Sequence, residues 1–379
     1  MSFRRRLPAA AVFQLIVLGY VLIQVYAVWR AYGGLALPGY ALPLLGAWVV
    51  LMTFSLPLEW WLERRGWHRT ATVLAWIGFG WMGWVFLFFW IALALSALSV
   101  VLGVLPLPTS MAAHAATLGS FAVAAVVALL VSAYGFRDAR HVRVERVRLT
   151  SPKLSAASGT FRLALISDVH LGPLVGARRL RRLIEQLRQL NADVLVSAGD
   201  LVDGLEHRLR ELAPLFGTLQ PRYGKFAVTG NHEYYAGLAH ALQFHRLAGF
   251  RVLQGEATDV TAEISIAGVD DPTGRTHPDE RVPLAKLARE RFRILLKHQP
   301  VLRPDAEGLF DLQLSGHVHQ GQIFPFGLLV RLAYPARTGL TRLAGGGWLY
   351  VSRGTGTWGP PMRVAAPPEI TLIEIEAES

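Results

Sequence analysis

A long segment without charged side chains constrains this chain more than any other feature of its sequence. From Thr70 to Phe136 there is no Asp, Glu, Lys or Arg. A straight helix of that length would measure about 100 Å, whereas the hydrocarbon core of a bilayer is about 30 Å thick. The segment is therefore expected to cross a membrane twice. Pro106 and Pro108 place the break at 106–110, because proline interrupts a helix.

Two further uncharged runs precede this segment, and each is long enough to cross a bilayer. A cleaved signal peptide is the alternative for the first run. Its apolar part is too long for that reading, however, and no convincing small-residue cleavage site follows it. The sequence thus predicts four transmembrane helices, at about 9–29, 40–58, 72–104 and 111–136.

Charge divides the chain into two parts. Residues 1–136 contain 9 of the 65 charged residues, and the other 56 follow. We therefore expect a transmembrane region over 1–140 and a water-soluble domain over 141–379. The overall hydrophobic content of 52% is an average over these two parts, and it excludes a disordered chain. Because the chain has no cysteine, it can form no disulfide and no thiolate metal site.

The arginines of the first part predict its orientation. They cluster before the first predicted helix, between the second and third, and after the fourth, and these places lie on one side if the chain crosses four times. Cytoplasmic loops carry the excess of Lys and Arg. We therefore expect a multi-pass protein of the inner, cytoplasmic membrane, with the soluble domain facing the cytoplasm.

The second part alternates short apolar runs with amphipathic stretches. Leucines at 180–190 recur at helical spacing. The short apolar or alternating runs typical of strands lie at 141–149, 161–167, 194–197, 226–229, 264–268, 292–296, 312–315, 348–352 and 370–375. Strands that alternate with helices, followed by a strand-rich end, indicate an α/β layered sandwich. Functional loops in such folds lie at the carboxyl ends of strands.

Five polar motifs follow these predicted strands. They contain oxygen and imidazole ligands of the kind that a pair of divalent transition metals needs. A carboxylate with ligands on either side could bridge the two ions. The motifs are Asp168-Val-His170, Gly199-Asp200-Leu-Val-Asp203, Gly230-Asn231-His232-Glu233, Lys297-His298-Gln299-Pro300 and Gly316-His317-Val-His319.

In order and identity these motifs closely resemble those of the calcineurin-like metallophosphoesterase superfamily, over roughly residues 140–379. The organisation is most similar to the bacterial membrane-associated phosphodiesterases of the YaeI/YkuE type. The resemblance implies that His232 is the catalytic histidine and that Asp203 orients it. It assigns one metal to Asp168, His170, Asp200 and His319, and the second to Asn231, His298 and His317, with Asp200 bridging.

The resemblance implies a binuclear-metal hydrolase that cleaves a phosphodiester or pyrophosphate bond. Two divalent cations are expected, Mn²⁺ first, with Fe, Zn and Ni as alternatives. Membrane tethering makes a lipid-linked substrate the simplest expectation, as in UDP-2,3-diacylglucosamine pyrophosphatases. Soluble nucleotides or phosphoproteins remain alternative substrates, and a non-catalytic membrane sensor is a further alternative. The net charge of the second part, 31 Lys and Arg against 25 Asp and Glu, does not require nucleic acid. The sequence does not define the oligomeric state.

Weaker signals mark three further candidate contacts. Residues 323–334 are unusually apolar for a loop, and they could either join the core or dip into the membrane surface through Phe324 and Phe326. Arg353 opens a glycine-rich segment without a nucleotide-binding fingerprint, and we take it as a candidate substrate contact.

Overall fold

The computed structural model describes residues 9–104, 118–204, 206–274 and 279–378. It contains two compact units. The first comprises Met1–Phe136 with Gly359–Pro361, and the second comprises Arg137–Trp358 with Met362–Ser379.

The described part of the first unit is helical. Its helices are α1 (Ala9–Gly34), α2 (Ala41–Thr53), α3 (Ser55–Arg64), α4 (His68–Val104) and α5 (Leu118–Asp138). Three of them, α1, α4 and α5, are long and apolar enough to cross a membrane, and a fourth span results if the bent pair α2 and α3 is counted as one. The predicted break at 106–110 and the start of the helix predicted at 111–136 lie outside the described residues.

The helix predicted at 40–58 is instead two helices that meet at an angle of 56°. Pro57 lies in the first turn of α3, where its ring would clash with the carbonyl group of Thr53 in a continuous helix. The hydroxyl group of Ser55 donates across the break to Met52 O at 2.8 Å. Polarity and charge alone could not reveal this bend, since both halves are uncharged at their junction.

Buried and half-buried polar side chains connect the helices of the first unit. Gln24 of α1 is fully buried, and it donates to Thr53 Oγ1 at 3.0 Å while accepting from Trp81 Nε1 at 2.9 Å. Arg30, also in α1, donates to one serine of α4 and one of α5 at 3.0 and 2.8 Å: Ser96 and Ser120. Such bonds hold helices together where burial of apolar surface gives little net gain.

The second unit contains two mixed six-stranded sheets. The first sheet has the strand order β1-β12-β2-β3-β4-β5, and the second has the order β10-β11-β9-β8-β7-β6. The strands are β1 (Arg143–Ser151), β2 (Phe161–Ile166), β3 (Val194–Ser197), β4 (Lys225–Ala227), β5 (Phe250–Val252), β6 (Glu256–Asp259), β7 (Ile264–Gly268), β8 (Phe292–Leu296), β9 (Leu312–Ser315), β10 (Gly339–Arg342), β11 (Trp348–Val351) and β12 (Glu369–Ala377). The helices are α6 (Ala177–Gln189), α7 (Glu206–Gly217), α8 (Asn231–Ala236), α9 (Leu238–Leu247), α10 (Arg281–Leu284) and α11 (Phe326–Ala333).

Alternation along the strands builds the layers of this unit. In β2, Leu163 and Leu165 join a core shared with the second sheet, where they meet residues such as Ile294. Ala164 and Ile166 point to the opposite face and pack against α6, α7 and α9. The predicted α/β sandwich is confirmed, with the two sheets packed face to face and helices outside them.

Within the apolar segment at 323–334, expected as a loop, residues Phe326–Ala333 form the helix α11. Within α11, Leu328, Leu329 and Leu332 are 54%, 54% and 82% exposed, so these side chains do not join the core. Val330 and Tyr334 face the other way and pack against the outer core of the second sheet.

Candidate metal centre

The predicted ligands lie together where the two sheets present the carboxyl ends of their strands. Asp168 and His170 follow β2, Asp200 follows β3, and Asn231 opens α8 after β4. The second sheet contributes residues after β8 and β9: His298, His317 and His319. The structure thus brings all seven predicted ligands to one edge of the sandwich.

The first group of ligand atoms has the spacing of a metal's coordination shell. Ligands bound at about 2.0–2.2 Å in tetrahedral or octahedral geometry are about 3.0–3.4 Å apart. His170 Nε2 lies 3.1 Å from His319 Nε2. His319 Nε2 lies 3.3 Å from Asp168 Oδ1. These three buried residues therefore fit one divalent cation.

The second group has the same spacing. His317 Nδ1 lies 3.0 Å from Asn231 Oδ1 and 3.2 Å from His298 Nε2. His298 Nε2 lies 3.2 Å from the same Asn231 oxygen. Between the groups, Asp200 Oδ2 is 3.2 Å from His298 Nε2 and 3.9 Å from His170 Nε2. Asp200 is therefore placed to bridge two ions.

Backbone conformation also sets this edge apart. Five of the seven predicted ligands have positive φ angles, between 46° and 72°. They are Asp168, His170, Asp200, His317 and His319. Residues other than glycine rarely adopt these φ angles, and each one that does lowers the stability of the fold by roughly 1–3 kcal/mol. The surrounding structure therefore holds these side chains in place at a cost in stability, as is common at functional sites.

Two positions in the motifs require glycine, because a predicted ligand lies too close to leave room for a side chain. A Cβ at Gly230 would lie 2.1 Å from Asp200 Oδ1, and a Cβ at Gly316 would lie 2.3 Å from Asp168 Oδ2. Any larger residue at either position would push directly on a predicted ligand.

His232 is paired with Asp203 beside the ligands. His232 Nδ1 lies 2.9 Å from Asp203 Oδ1, and Asp203 Oδ2 lies 3.6 Å from His170 Nδ1. Burial lowers the pKa of His232, but the charge and hydrogen bond of Asp203 outweigh it and raise the pKa to about 9. Cations bound nearby would act in the opposite direction. Burial raises the pKa of Asp203, but the attraction and hydrogen bond of His232, together with the neighbouring His170, lower it to about 2.

Glu233, the last residue of the Gly230-Asn-His-Glu run, holds two of the motifs together. Its buried carboxylate accepts hydrogen bonds from the backbone N–H groups of Gly230, Asp200 and Leu201, at 2.6, 3.0 and 2.8 Å. It therefore fixes Asp200 relative to the loop that precedes Asn231. Its position in the Gly-Asn-His-Glu run was the available signal.

Tyr334 orients one ligand from outside the motifs. Its hydroxyl oxygen lies 2.8 Å from His317 Nε2, the ring nitrogen opposite the one that faces the second group. The hydroxyl donates to Gln299 Oε1 at 3.4 Å, and Gln299 donates to Asp271 at 2.9 Å. Such partners fix the tautomer and ring orientation of a ligating histidine.

Arg363 supports the other histidine of the last motif. Its fully buried guanidinium group lies 3.1 Å from His319 Nδ1 and donates to backbone oxygens, including Gly356 O at 2.6 Å and Arg353 O at 2.7 Å. Nothing in the local sequence marks Arg363 or Tyr334, because both reach the ligands only through the fold.

The three weaker candidate contacts, Arg353, Phe324 and Phe326, are not among the clustered ligands. The side chain of Arg353 forms ion pairs with Glu145 and Glu369, so its charge is already compensated. Phe324 and Phe326 are 58% and 44% exposed at the start of α11.

Comparisons with known proteins agree with this geometry. Residues 161–321 match the family model described as calcineurin-like phosphoesterase. An uncharacterized metallophosphoesterase of Aquifex aeolicus is 39% identical over 66% of this chain and 98% of its own length. A transmembrane protein with metallophosphoesterase domain from Danio rerio is 35% identical over 70% of this chain, which spans 65% of that relative. The uncharacterized metallophosphoesterase YkuE of Bacillus subtilis is 28% identical over 68% of this chain and 96% of its own length.

Proposed function

Because this chain belongs to the calcineurin-like metallophosphoesterase family and is a metal-dependent phosphoester hydrolase, we propose that it cleaves a phosphodiester or pyrophosphate bond in a lipid-linked substrate. We further propose that it does so at the cytoplasmic face of the inner membrane.

Two divalent cations, Mn²⁺ in the first place, would be held by the seven clustered ligands, with Asp200 shared between them. When bound, these cations supply Lewis-acid polarisation of the phosphoryl group and a hydroxide nucleophile at neutral pH. The carboxylates of Asp168 and Asp200 only partly compensate the charge of two such ions, so the site would attract a phosphate anion.

The chain's own part in bond cleavage falls to His232. Its Nδ1 is occupied by Asp203 at 2.9 Å, which leaves Nε2 to hold a proton for the departing oxygen. The Asp203 carboxylate favours the protonated imidazole, because it is negatively charged and accepts a hydrogen bond from Nδ1–H. His232 is therefore proposed as general acid and Asp203 as the residue that orients it.

The observation that supports a lipid-linked substrate is the exposed apolar surface of α11. Phe324, Leu328, Leu329 and Leu332 are each more than half exposed, and α11 ends directly before Tyr334, the partner of His317. A short helix with such a face and an arginine, Arg331, suits the interface of a bilayer. It would hold the acyl part of a substrate near the ligands.

The membrane location rests on the apolar helices of the first unit and the orientation on the arginines of its loops. A reporter fused after Ser379 should behave as cytoplasmic, and so should a tag placed at 63–69. Cleavage of residues 160–379 by a protease added outside the cell would contradict this orientation.

The enzymatic proposal is tested with Asp200→Asn. The full chain, purified in detergent and loaded with Mn²⁺, should hydrolyse a generic aryl phosphodiester, and the variant should lose bound metal and turnover in parallel. Two bound metals with normal turnover in the variant would refute the bridging role. Two bound metals in the wild-type protein with no hydrolysis of any phosphoester in a broad screen would contradict the proposal and favour the alternative of a non-catalytic membrane sensor.

The lipid proposal is tested with Leu329→Ser and Leu332→Ser. Both variants should raise KM for a lipid-linked substrate and spare a water-soluble one. Leu247→Ser is the matched control, because Leu247 is also exposed, at 51%, but lies on α9. Equal losses on both substrates would point to a structural role for α11, and turnover without any dependence on acyl chains would favour soluble nucleotides or phosphoproteins.

A further inference from the structure

Two exposed aromatic rings flank His232, and they have no part in metal binding or in proton transfer. The ring centroid of Tyr235 lies 5.3 Å from that of His232, and the ring centroid of Trp358 lies 5.8 Å from it. Tyr235 is 68% exposed and Trp358 is 52% exposed, whereas the His232 side chain is 10% exposed. We call Tyr235 and Trp358 the aromatic rim.

The fold fixes the backbone of both residues relative to the ligands. Tyr235 lies on α8, three residues after His232 and on the helix that Asn231 opens. Trp358 is held by the side chain of Gln322, which accepts from Trp358 N at 2.9 Å and donates to Trp358 O at 2.7 Å. Gln322 itself is buried and follows His319 by three residues. This double hydrogen bond gives a function to the last residue of the Gly316-His-Val-His-Gln-Gly-Gln322 run.

The position of the aromatic rim limits what it can contact. An oxygen that receives a proton from His232 must lie about 3 Å from the donating nitrogen. The atoms attached to that oxygen then lie within reach of two rings whose centroids are 5–6 Å from the imidazole. The rim therefore faces the leaving group, whereas the phosphoryl group belongs to the ligands.

The chemistry of the rim indicates what kind of leaving group fits. Neither ring carries a charge, so neither attracts phosphate. Both are exposed aromatic side chains on backbone positions that the fold fixes, and proteins use such side chains to stack planar rings without reading their hydrogen-bonding edges. We propose that the aromatic rim is a binding subsite for a planar aromatic group on the leaving side of the scissile bond, such as a nucleobase or an aryl ring. This inference rests on the proposed phosphoester hydrolysis, in which His232 protonates the leaving oxygen as the P–O bond breaks.

The test compares two phosphodiesters that differ only in the leaving group. One leaving group is phenol, and the other is a fluorinated aliphatic alcohol of similar acidity, so that the chemical step is matched. The measured quantity is the ratio of kcat/KM for the aryl substrate to that for the aliphatic one, with the full chain in detergent and Mn²⁺. Trp358→Leu keeps an apolar side chain and removes the ring, whereas Trp358→Phe keeps a ring.

We expect Trp358→Leu to lower the aryl preference by about tenfold, within the range of stacking on a protein side chain. Trp358→Phe should retain most of the preference, and Tyr235→Leu should lower it as well. A wild-type ratio near one, or equal ratios in Trp358→Leu and the wild type, would overturn the inference. Binding supplies a readout without turnover, since phenylphosphonate should bind the metal-loaded protein more tightly than methylphosphonate. If nothing is hydrolysed but this preference is present and depends on Trp358, the proposed function fails and the subsite stands.

Discussion

Gly230→Ala tests whether the bridging carboxylate is held as tightly as the structure indicates. Gly230 has φ of −104°, which alanine adopts without strain, so the backbone conformation does not oppose the substitution. The substitution is opposed instead by the contacts of the added methyl group. It would lie 2.1 Å from Asp200 Oδ1, 2.6 Å from Asp200 N and 2.8 Å from Asp200 Cγ.

The size of the expected effect follows from these distances. Because Cβ contacts below 3.0 Å are essentially never seen, the Asp200 oxygen must retreat by about 1 Å from its 2.1 Å contact. Rotation of the carboxylate alone cannot relieve the clash, since the backbone N–H of Asp200 is also too close and is fixed by Glu233 at 3.0 Å. Metal–ligand distances vary by only about 0.2 Å, and a misplacement of about 1 Å can cost about 10²-fold in rate. Overpacking should also lower the free energy of unfolding by about 1–3 kcal/mol.

The assay measures bound metal per chain, turnover of an aryl phosphodiester and the melting temperature in detergent. Gly176→Ala is the matched control, because Gly176 has φ of −96° and an added Cβ there would meet no atom within 4 Å. We expect Gly230→Ala to lose metal and about two orders of magnitude in turnover, with Gly176→Ala close to wild type. A Gly230→Ala protein with two metals and turnover within a few-fold of wild type would refute the reasoning.

Three other outcomes are expected. Asp203→Asn should keep both metals but lower kcat by about 10²–10⁴, because His232 is no longer held protonated, and the loss should be least for a nitrophenolate leaving group. Near-normal turnover of a substrate with a poor leaving group would leave Asp203 with only a local structural role. Tyr334→Phe should weaken metal binding by about 10–100-fold by removing the partner of His317 Nε2, and equilibrium dialysis showing no difference from the control Tyr223→Phe would contradict this. Adding Mn²⁺ to chelated protein at about 100 times its Kd should raise the free energy of unfolding by about 2.7 kcal/mol, since ions bind the folded state; a melting temperature insensitive to EDTA would exclude the metal centre.

The sequence determined the division of the chain and the place of the chemistry. Charged residues are so scarce before 137 that only an apolar environment suits that part, and the strands of the second part are visible as short apolar runs. A motif such as Gly199-Asp200 follows its strand directly, so strand order along the chain was enough to predict that the polar residues gather at one edge. Local pattern contains this information because each motif and its strand are neighbours in sequence.

Local pattern was less informative about short or irregular elements. Strands β5, β6 and β10 have only three or four residues each and were not predicted. Their hydrogen bonds come from neighbouring strands in the sheet, and their own side chains show little alternation. For α11, the apolar composition was evident, but only the structure decides that Leu332 points outward while Val330 packs on the core.

Only the tertiary structure decided how the ligands are supported. Glu233 reaches the Asp200 loop, Tyr334 reaches His317, and Gln322 fixes the backbone of Trp358. These partners are 33, 17 and 36 residues apart in sequence. Arg363 reaches His319 across 44 residues of sequence and is fully buried among backbone oxygens. Hydrogen bonds of this kind depend on side-chain direction and on distances of about 3 Å, which are set by the packing of whole sheets and helices and not by the spacing of residues along the chain.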